Sequence, residues 1–281
     1  MFLLFTFVII SLLVTFILFI TELVKTWWLL LLIFIGTFIV INIISLLVLY
    51  LITFIFKNYK KSKDGKIIER KKPYAIYSII TYLYCNYINV LCGVKIIKKN
   101  INLIPNNEPI LVVLNHQSIL DPVIFFTGTK KKEVCFLMKK EIRKAPLLGA
   151  WAHNAGYYFV NRQNNREGLV TIINSINAIN NGRSIGVFIE GTRSHGPDIG
   201  EFHDATLKMA LKSKCKIVVC VVDNTYNIFK NFPLKRTKVL LKVCKVLTYE
   251  EYGTKLTTEL GDDIKNIMIQ NLEEERKLKE Y

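Results

Sequence analysis

Ile110-Leu111-Val112-Val113-Leu114-Asn115-His116-Gln117-Ser118-Ile119-Leu120-Asp121-Pro122 is the stretch on which the fold turns. Its first five residues are apolar and rich in β-branched side chains, which predicts a short buried strand ending where the polar residues begin. Pro122 predicts the first turn of a helix. His116 and Asp121 then lie at the mouth of a sheet. On one continuous helix, residues five apart point about 140° away from each other and cannot meet. A bend between them, with His116 in the strand-to-helix turn and Asp121 in the first helical turn, lets the carboxylate reach one imidazole nitrogen. The other nitrogen is left to take a proton, the arrangement of a general base with its orienting partner. The same residues also read as a helix cap of the S-x-x-D kind, Ser118 to Asp121, with His116 a polar turn residue. The stretch alone leaves both readings open.

Working outward, apolar runs at 94–97, 134–138, 184–189, 216–222 and 237–245 read as further strands. Helical stretches at 122–127, 166–180 and 206–214 separate them. This alternation predicts an α/β domain with a mainly parallel sheet covered by helices on both faces. The tail from 257 to 281 reads as a charged, amphipathic and solvated C-terminal helix.

Toward the N-terminus, residues 2–20 and 27–56 carry no charge, and each is long enough for the roughly 20 apolar residues that cross a bilayer. They predict an N-terminal two-helix transmembrane hairpin. A cleaved signal peptide needs a basic start and a small-residue cleavage site, and 1–20 supplies neither. Trp27 and Trp28 open the second span where an aromatic interface anchor belongs. Of 38 basic and 22 acidic residues only Lys25 and Glu22 fall within 1–56, so 37 and 21 remain beyond them and carry the whole net charge of +16. The surplus begins at Lys57 with Lys60, Lys61, Lys63, Lys66, Arg70, Lys71 and Lys72, opposed only by Asp64 and Glu69. By the positive-inside rule this segment is cytoplasmic, and anionic lipid attracts it. A basic run also fits nucleic acid, but this one abuts a membrane span and no RNP, zinc-finger or helix-turn-helix pattern accompanies it, so no nucleic-acid partner is expected.

Residues 73–94 are uncharged yet carry Tyr74, Tyr77, Tyr82, Tyr84 and Tyr87, which predicts a helix lying at the membrane interface; a third span is the alternative. Three parts follow: two transmembrane helices at 1–56, a basic juxtamembrane segment with the interfacial aromatic helix at 57–92, and a cytoplasmic α/β domain at 93–281. The six cysteines form no C-x-x-C pair and the four histidines are scattered, so no metal site is expected and reduced, buried thiols are.

Downstream, Gly156-Tyr157-Tyr158-Phe159-Val160-Asn161-Arg162 and Phe188-Ile189-Glu190-Gly191-Thr192-Arg193-Ser194 each deliver an arginine after an apolar run. Two guanidinium groups at strand ends suit a phosphate, which they grip with bidentate hydrogen bonds. Lys139 and Lys140 add charge, Gly191 allows a tight turn, and Glu190 is placed to pair with an arginine or to orient a hydroxyl. Taken singly, an arginine after a strand also reads as a solvated surface residue.

In order along the chain, Asn115-His116 with Asp121, Gly156 to Arg162, and Glu190-Gly191-Thr192-Arg193 resemble the first three motif blocks of the glycerolipid acyltransferases. The likeness is to the 1-acyl-glycerol-3-phosphate (lysophosphatidate) acyltransferases above all. Lys139-Lys140-Glu141-Ile142, with Pro146 and Gly149 after it, is similar to the family's linking text, and the resemblance covers about residues 93–225. It implies His116 as general base, Asp121 as its orienter, and Arg162, Glu190, Gly191, Thr192 and Arg193 as the acceptor site; the charge of Lys139, and not the resemblance, adds it to the substrate-binding residues. It implies no cofactor; the co-substrate is acyl-CoA or acyl-acyl-carrier protein, and the acceptor a membrane lipid, lysophosphatidate, with another lysophospholipid or glycerol phosphate as alternatives. Two positions depart from the family pattern: Ile189 and Cys220 stand where the third and fourth motifs usually have proline.

Two other functions compete. Gly182-Arg183-Ser184-Ile185-Gly186 matches the G-x-S-x-G elbow of serine lipases and esterases, but that elbow follows a strand and opens a helix, whereas Ser184 follows a helical stretch and opens a strand. A non-catalytic anionic-lipid tether explains the spans and the charge but not the ordered motifs.

Overall fold

The structure, a computed structural model, describes residues 2–61, 67–70, 72–130, 134–278 and 281. Lys63, Asp64, Lys66 and Lys71 of the basic run lie outside these residues. Helices α1 (Phe2–Ile20) and α2 (Trp27–Ile55) begin the chain. They are apolar all round, and within them only Phe7, Ser11, Leu49 and Thr53 are buried, so most of their Leu, Ile and Phe side chains face outward. By length and composition both are able to cross a membrane. A short antiparallel pair, β1 (Tyr59–Lys61) and β2 (Ile67–Glu69), stands in the basic segment and had no signal in the sequence reading.

Helix α3 (Ala75–Leu91) joins this region to the sheet. Its polar tips, which suggested an interfacial helix, make contacts within the protein. Tyr77 donates its hydroxyl to the Phe56 carbonyl at 2.8 Å, and Tyr87 donates to Asn42 Oδ1 at 2.6 Å. Asn89 Nδ2 donates to Thr127 Oγ1 at 2.9 Å, and Thr81 Oγ1 accepts from Trp151 Nε1 at 3.0 Å.

The sheet is formed by β3 (Val94–Lys99), β4 (Ile110–Leu114), β5 (Val134–Lys139), β6 (Tyr158–Val160), β7 (Ser184–Phe188), β8 (Lys216–Asp223) and β9 (Thr237–Leu247) in the spatial order β3-β9-β8-β4-β7-β5-β6. Every neighbouring pair is parallel except β8–β9, as the strand-helix alternation predicts. Helices α4 (Asp121–Thr129), α5 (Pro146–Asn154), α6 (Asn165–Asn180) and α7 (Lys208–Ser213) connect the strands; α8 (Ile228–Asn231), α9 (Tyr249–Tyr252) and α10 (Thr257–Leu278) complete the chain.

All five residues of β4 are fully buried, because side chains alternate across a strand and both faces here are covered. Leu111 and Val113 join Ile185, Val187, Ile217 and Val219 under α6, α7 and α10. Ile110, Val112 and Leu114 join Val218, Cys220 and Val222 under α4 on the other face. Full burial of each such side chain stabilises by about 1.5–3 kcal/mol.

The tail departs from the solvated helix expected of it. In α10, Leu260, Ile264, Met268 and Leu272 recur every fourth residue and are buried against the sheet, and Arg276 reaches the end of β8. The charges dominated the sequence reading, whereas the apolar stripe decides where the helix packs.

Candidate active site

Since β8, β4, β7, β5 and β6 run parallel, their carboxyl ends open on one edge of the sheet. The residues following those ends are therefore gathered from distant parts of the chain. His116 follows β4, Ile189 to Arg193 follow β7, Lys139 closes β5, Arg162 follows β6, and Asp223 to Thr225 close and follow β8.

His116 Nδ1 and Asp121 Oδ2 are 2.7 Å apart. Asp121 is fully buried, and its carboxylate has four protein donors among the described residues. Oδ2 also accepts the backbone N–H groups of Gln117 at 2.7 Å and Ser118 at 2.8 Å, while Oδ1 accepts Thr225 Oγ1–H at 2.5 Å. An ionised carboxylate only accepts, so the His116 nitrogen facing it is the donor and Nε2 carries the free lone pair. The cap reading holds only in part: Leu120 is the N-cap of α4 and no side chain caps the helix, Asp121 N–H bonding instead to the Ser118 carbonyl. Asp121 sits in the first turn of α4, holds the turn by reaching back to two N–H groups, and orients the imidazole with the same oxygen.

The imidazole stacks on Phe188 at 4.2 Å between ring centroids and 22° between planes, and Phe188 stacks in turn on Phe136 at 5.0 Å. Its backbone is fixed as well. His116 N–H donates to Glu190 Oε1 at 2.6 Å, and its carbonyl accepts Ser194 N–H at 2.8 Å. Glu190 is 4% exposed, and its other oxygen accepts Gly200 N–H at 2.7 Å. Burial pushes the Glu190 carboxyl above the ordinary carboxylate range, and the two N–H groups draw it only partly back. Both Glu190 oxygens are thus engaged by backbone, joining the His116 turn to the loop after β7.

Gly191 is buried with φ +68°, and a Cβ there would lie 2.3 Å from His203 Cδ2, so a side chain fits neither the conformation nor the space. Thr192 and Arg193 are exposed on the same loop, and Arg162 is exposed after β6. Lys139 is half-exposed with Glu141 3.8 Å away, and Lys140 pairs with Glu167. These cationic groups share the His116 edge, but no hydrogen bond joins Arg162 or Arg193 to the His116–Asp121 pair among the described residues.

Ser184 is elsewhere. It opens β7 at the amino edge, opposite His116, and its Oγ accepts Ile110 N–H at 3.4 Å in a buried setting. Nearby, the buried Arg183 donates to the Gly156 carbonyl at 2.6 Å. A Cβ on Gly156, itself at φ +78°, would come within 2.2 Å of Arg183 Nη2, so the glycine of the second motif makes room for a guanidinium.

A further layer surrounds the pair, and of it the sequence marked only Asn115, in the first motif block. Asn115 pairs with the backbone of Val222, donating to its carbonyl at 2.9 Å and accepting its N–H at 2.8 Å, which extends the β4–β8 ladder by a side chain. Gln117 donates to Asp223 Oδ1 at 2.9 Å and accepts the backbone N–H of Thr225 at 3.3 Å. Asp223 is gripped by Arg276 of α10 at 2.7 and 2.9 Å, and by Tyr281 at 2.9 Å. Burial opposes its charge, but Arg276, Gln117 and Tyr281 outweigh that and hold the carboxyl below its ordinary range. Asn115 and Gln117 flank His116 in sequence and were visible as polar neighbours; Thr225 and Arg276 carry no sequence signal at such separation.

Comparison with known proteins agrees with this geometry. A family model described as "Acyltransferase" matches residues 95–223, the segment holding β4, the His116 turn and the loop after β7. The chain is 32% identical over 182 residues to the 1-acyl-sn-glycerol-3-phosphate acyltransferase of Borreliella burgdorferi, covering 62% of this chain and 72% of that one. It is 28% identical over 173 residues to the protein of the same name from Saccharomyces cerevisiae, covering 59% of this chain and 56% of the yeast protein. The crystal structure of the 1-acyl-sn-glycerophosphate (LPA) acyltransferase PlsC from Thermotoga maritima shares the fold, with a TM-score of 0.60 at 20% identity, over 71% of this chain and 79% of that one. With His116, Arg162 and the Glu190 loop on one sheet edge and relatives of this extent, the chain belongs to the 1-acyl-sn-glycerol-3-phosphate acyltransferase family.

Proposed function

We propose that the protein transfers a fatty acyl group from an acyl thioester, acyl-CoA or acyl-acyl-carrier protein, to the free hydroxyl of lysophosphatidate in a membrane, giving phosphatidate. The observation that carries this reading is the 2.7 Å contact between His116 Nδ1 and the fully buried Asp121, which leaves Nε2 as the basic nitrogen at the sheet edge. His116 Nε2 takes the hydroxyl proton as that oxygen attacks the thioester carbonyl. The tetrahedral intermediate collapses with loss of the thiolate, and the imidazolium returns the proton to sulfur. Asp121 stabilises the imidazolium and fixes the ring, and the stack on Phe188 limits its rotation.

Arg162, Arg193 and Lys139, standing at the same edge, take the acceptor phosphate, with Thr192 beside them. Glu190 and Gly191 serve that site by shaping the loop. Helices α1 and α2 hold the protein in the bilayer, and the α/β domain, 93–281, works on the cytoplasmic side, with the basic residues from Lys57 onward drawn to anionic lipid.

The test is acyl transfer in membranes containing the full chain, with both donors and with lysophosphatidate, other lysophospholipids and glycerol phosphate as acceptors. His116→Ala should lower kcat by about 100-fold to 10,000-fold while acceptor binding stays nearly intact. A loss below about 10-fold is too small for a general base and would overturn the assignment.

A further inference from the structure

The connection between β8 and β9 holds apolar side chains outward on a fixed frame. Ile228 at the start of α8 is fully buried. Phe232 N–H donates to the Ile228 carbonyl at 3.0 Å, Lys235 N–H to the Asn231 carbonyl at 2.8 Å, and Asn231 Nδ2 to Thr237 Oγ1 at 3.0 Å. On this frame Phe229, Phe232 and Leu234 are 56%, 47% and 92% exposed. Single exposed apolar residues are ordinary, but three large ones within six positions on an anchored turn mark a contact surface. Lys230, Lys235 and Arg236 stand among them, and no Asp or Glu occurs from 224 to 249.

The location is specific. Because β9 runs antiparallel to β8, with Asp223 opposite Leu240, the turn before β9 lies at the same edge as His116. Thr237 N–H donates to the Gly93 carbonyl at 3.0 Å, which brings the turn to the end of α3, beside the exposed Val90 and Leu91. Along α3, α2 runs the other way: Phe56 lies at Tyr77 and Asn42 at Tyr87. From Asn42 back to Trp27, α2 continues for about 22 Å in the direction in which α3 ends. The apolar helix pair therefore leads away from the sheet on the His116 side, and the β8–β9 turn stands at its base.

We propose that Phe229, Phe232 and Leu234, flanked by Lys230, Lys235 and Arg236, form a second membrane contact seated in the interfacial layer of an anionic bilayer. Aromatic and leucine side chains enter the boundary of the acyl chains while the cations meet lipid headgroups, the pattern of an interfacial anchor. The contact sets the His116 edge against the surface from which a lipid acceptor arrives. A second copy of the chain is disfavoured as occupant, since it would bring the same cations together. The inference rests on the proposed reaction at a bilayer.

The experiment uses the full chain in vesicles of mixed phosphatidylcholine and phosphatidylglycerol, comparing Leu234→Trp with the parent, whose tryptophans are Trp27, Trp28 and Trp151. The added emission should be quenched by lipid brominated near the headgroup and shielded from aqueous iodide. Quenching by iodide and not by bromolipid overturns the proposal, and so does shielding that appears only when two chains cross-link. This readout needs no turnover, so it reports even where acyl transfer fails. As a second arm, Phe232→Asp with Leu234→Asp should raise KM for a bilayer-borne acceptor about 10-fold to 100-fold. Activity on a short-chain, monomeric acceptor should stay within about 2-fold, because the turn lies outside the His116–Asp121 pair. Equal losses on both acceptors overturn the assignment.

Discussion

Replacing Asp121 by Asn separates charge from orientation at the proposed base. In a Ser-His-Asp triad the corresponding change lowers kcat about 10,000-fold, because the amide turns its NH₂ to the histidine and selects the wrong tautomer. Here that flip is opposed. The oxygen facing His116 also accepts Gln117 N–H at 2.7 Å and Ser118 N–H at 2.8 Å, so an NH₂ in its place would meet two buried donors. Leaving two such donors without acceptors costs about 2–6 kcal/mol. With the amide oxygen kept toward His116, its NH₂ faces Thr225 Oγ1, which is free to accept and to turn its own proton to Gln117 Oε1 at 3.3 Å. What is lost is the charge: a charge-assisted bond of about 1.5–3 kcal/mol becomes an ordinary one of about 0.5–1.5. The difference, about 1–2 kcal/mol, predicts a kcat reduced about 5-fold to 30-fold. Acceptor KM should hold. Steady-state acyl transfer in membranes, with thermal unfolding alongside, measures this. A loss beyond about 1,000-fold would show that the backbone donors do not fix the amide, and an unchanged kcat would show that the Asp121 charge takes no part.

Neutralising Arg162 or Arg193 to Gln should raise acceptor KM about 10-fold to 150-fold and leave donor KM alone; equal weakening for an acceptor without phosphate would refute phosphate binding. Ser184→Ala should keep kcat within about 2-fold, since Ser184 lies at the opposite sheet edge; an acyl group found covalently attached to Ser184 in the parent chain, together with a dead Ser184→Ala mutant, would reinstate the hydrolase reading. Glu190 gives a pH signature: its folded-state value is raised, so the native state holds a proton the unfolded state releases, and its contribution to stability grows as pH falls through the window between the raised and ordinary values. A Glu190→Gln chain, which lacks that titration, should therefore fall behind the wild type in melting temperature as pH is lowered through the window, and the reverse trend would refute the sign. For topology, a cysteine placed at the exposed Glu273 should resist an impermeant reagent in intact cells, and labelling from outside with membranes sealed would contradict a cytoplasmic domain.

Periodicity and motif order carried most of the architecture. Alternating strand and helix lengths made the mainly parallel sheet legible, and the uncharged runs 2–20 and 27–56 announced α1 and α2, because a buried strand and a long apolar helix each leave a local compositional trace. The His116–Asp121 pair was legible for a similar reason: both residues belong to one turn, and a spacing of five is compatible with contact only across a bend. Cys220, at a position where the family pattern has proline, lies where the β8–β9 register shifts between Val219 and Cys220. A residue without an N–H is tolerated at such an irregularity, which gives the substitution a structural setting. The residues that surround the pair were not legible. Thr225 on Asp121, Glu190 on the His116 backbone, Phe188 under the ring, and Arg276 reaching Asp223 across the α10 packing depend on how β7, β8 and α10 are placed beside β4. A carboxylate among backbone donors looks, in one dimension, the same as one reaching for a ligand. Local spacing and burial were enough to mark the mainly parallel sheet, the apolar helices and a contact between His116 and Asp121; the supports around His116 were set by parallel strand order, which alone brings residues about a hundred positions apart to one edge.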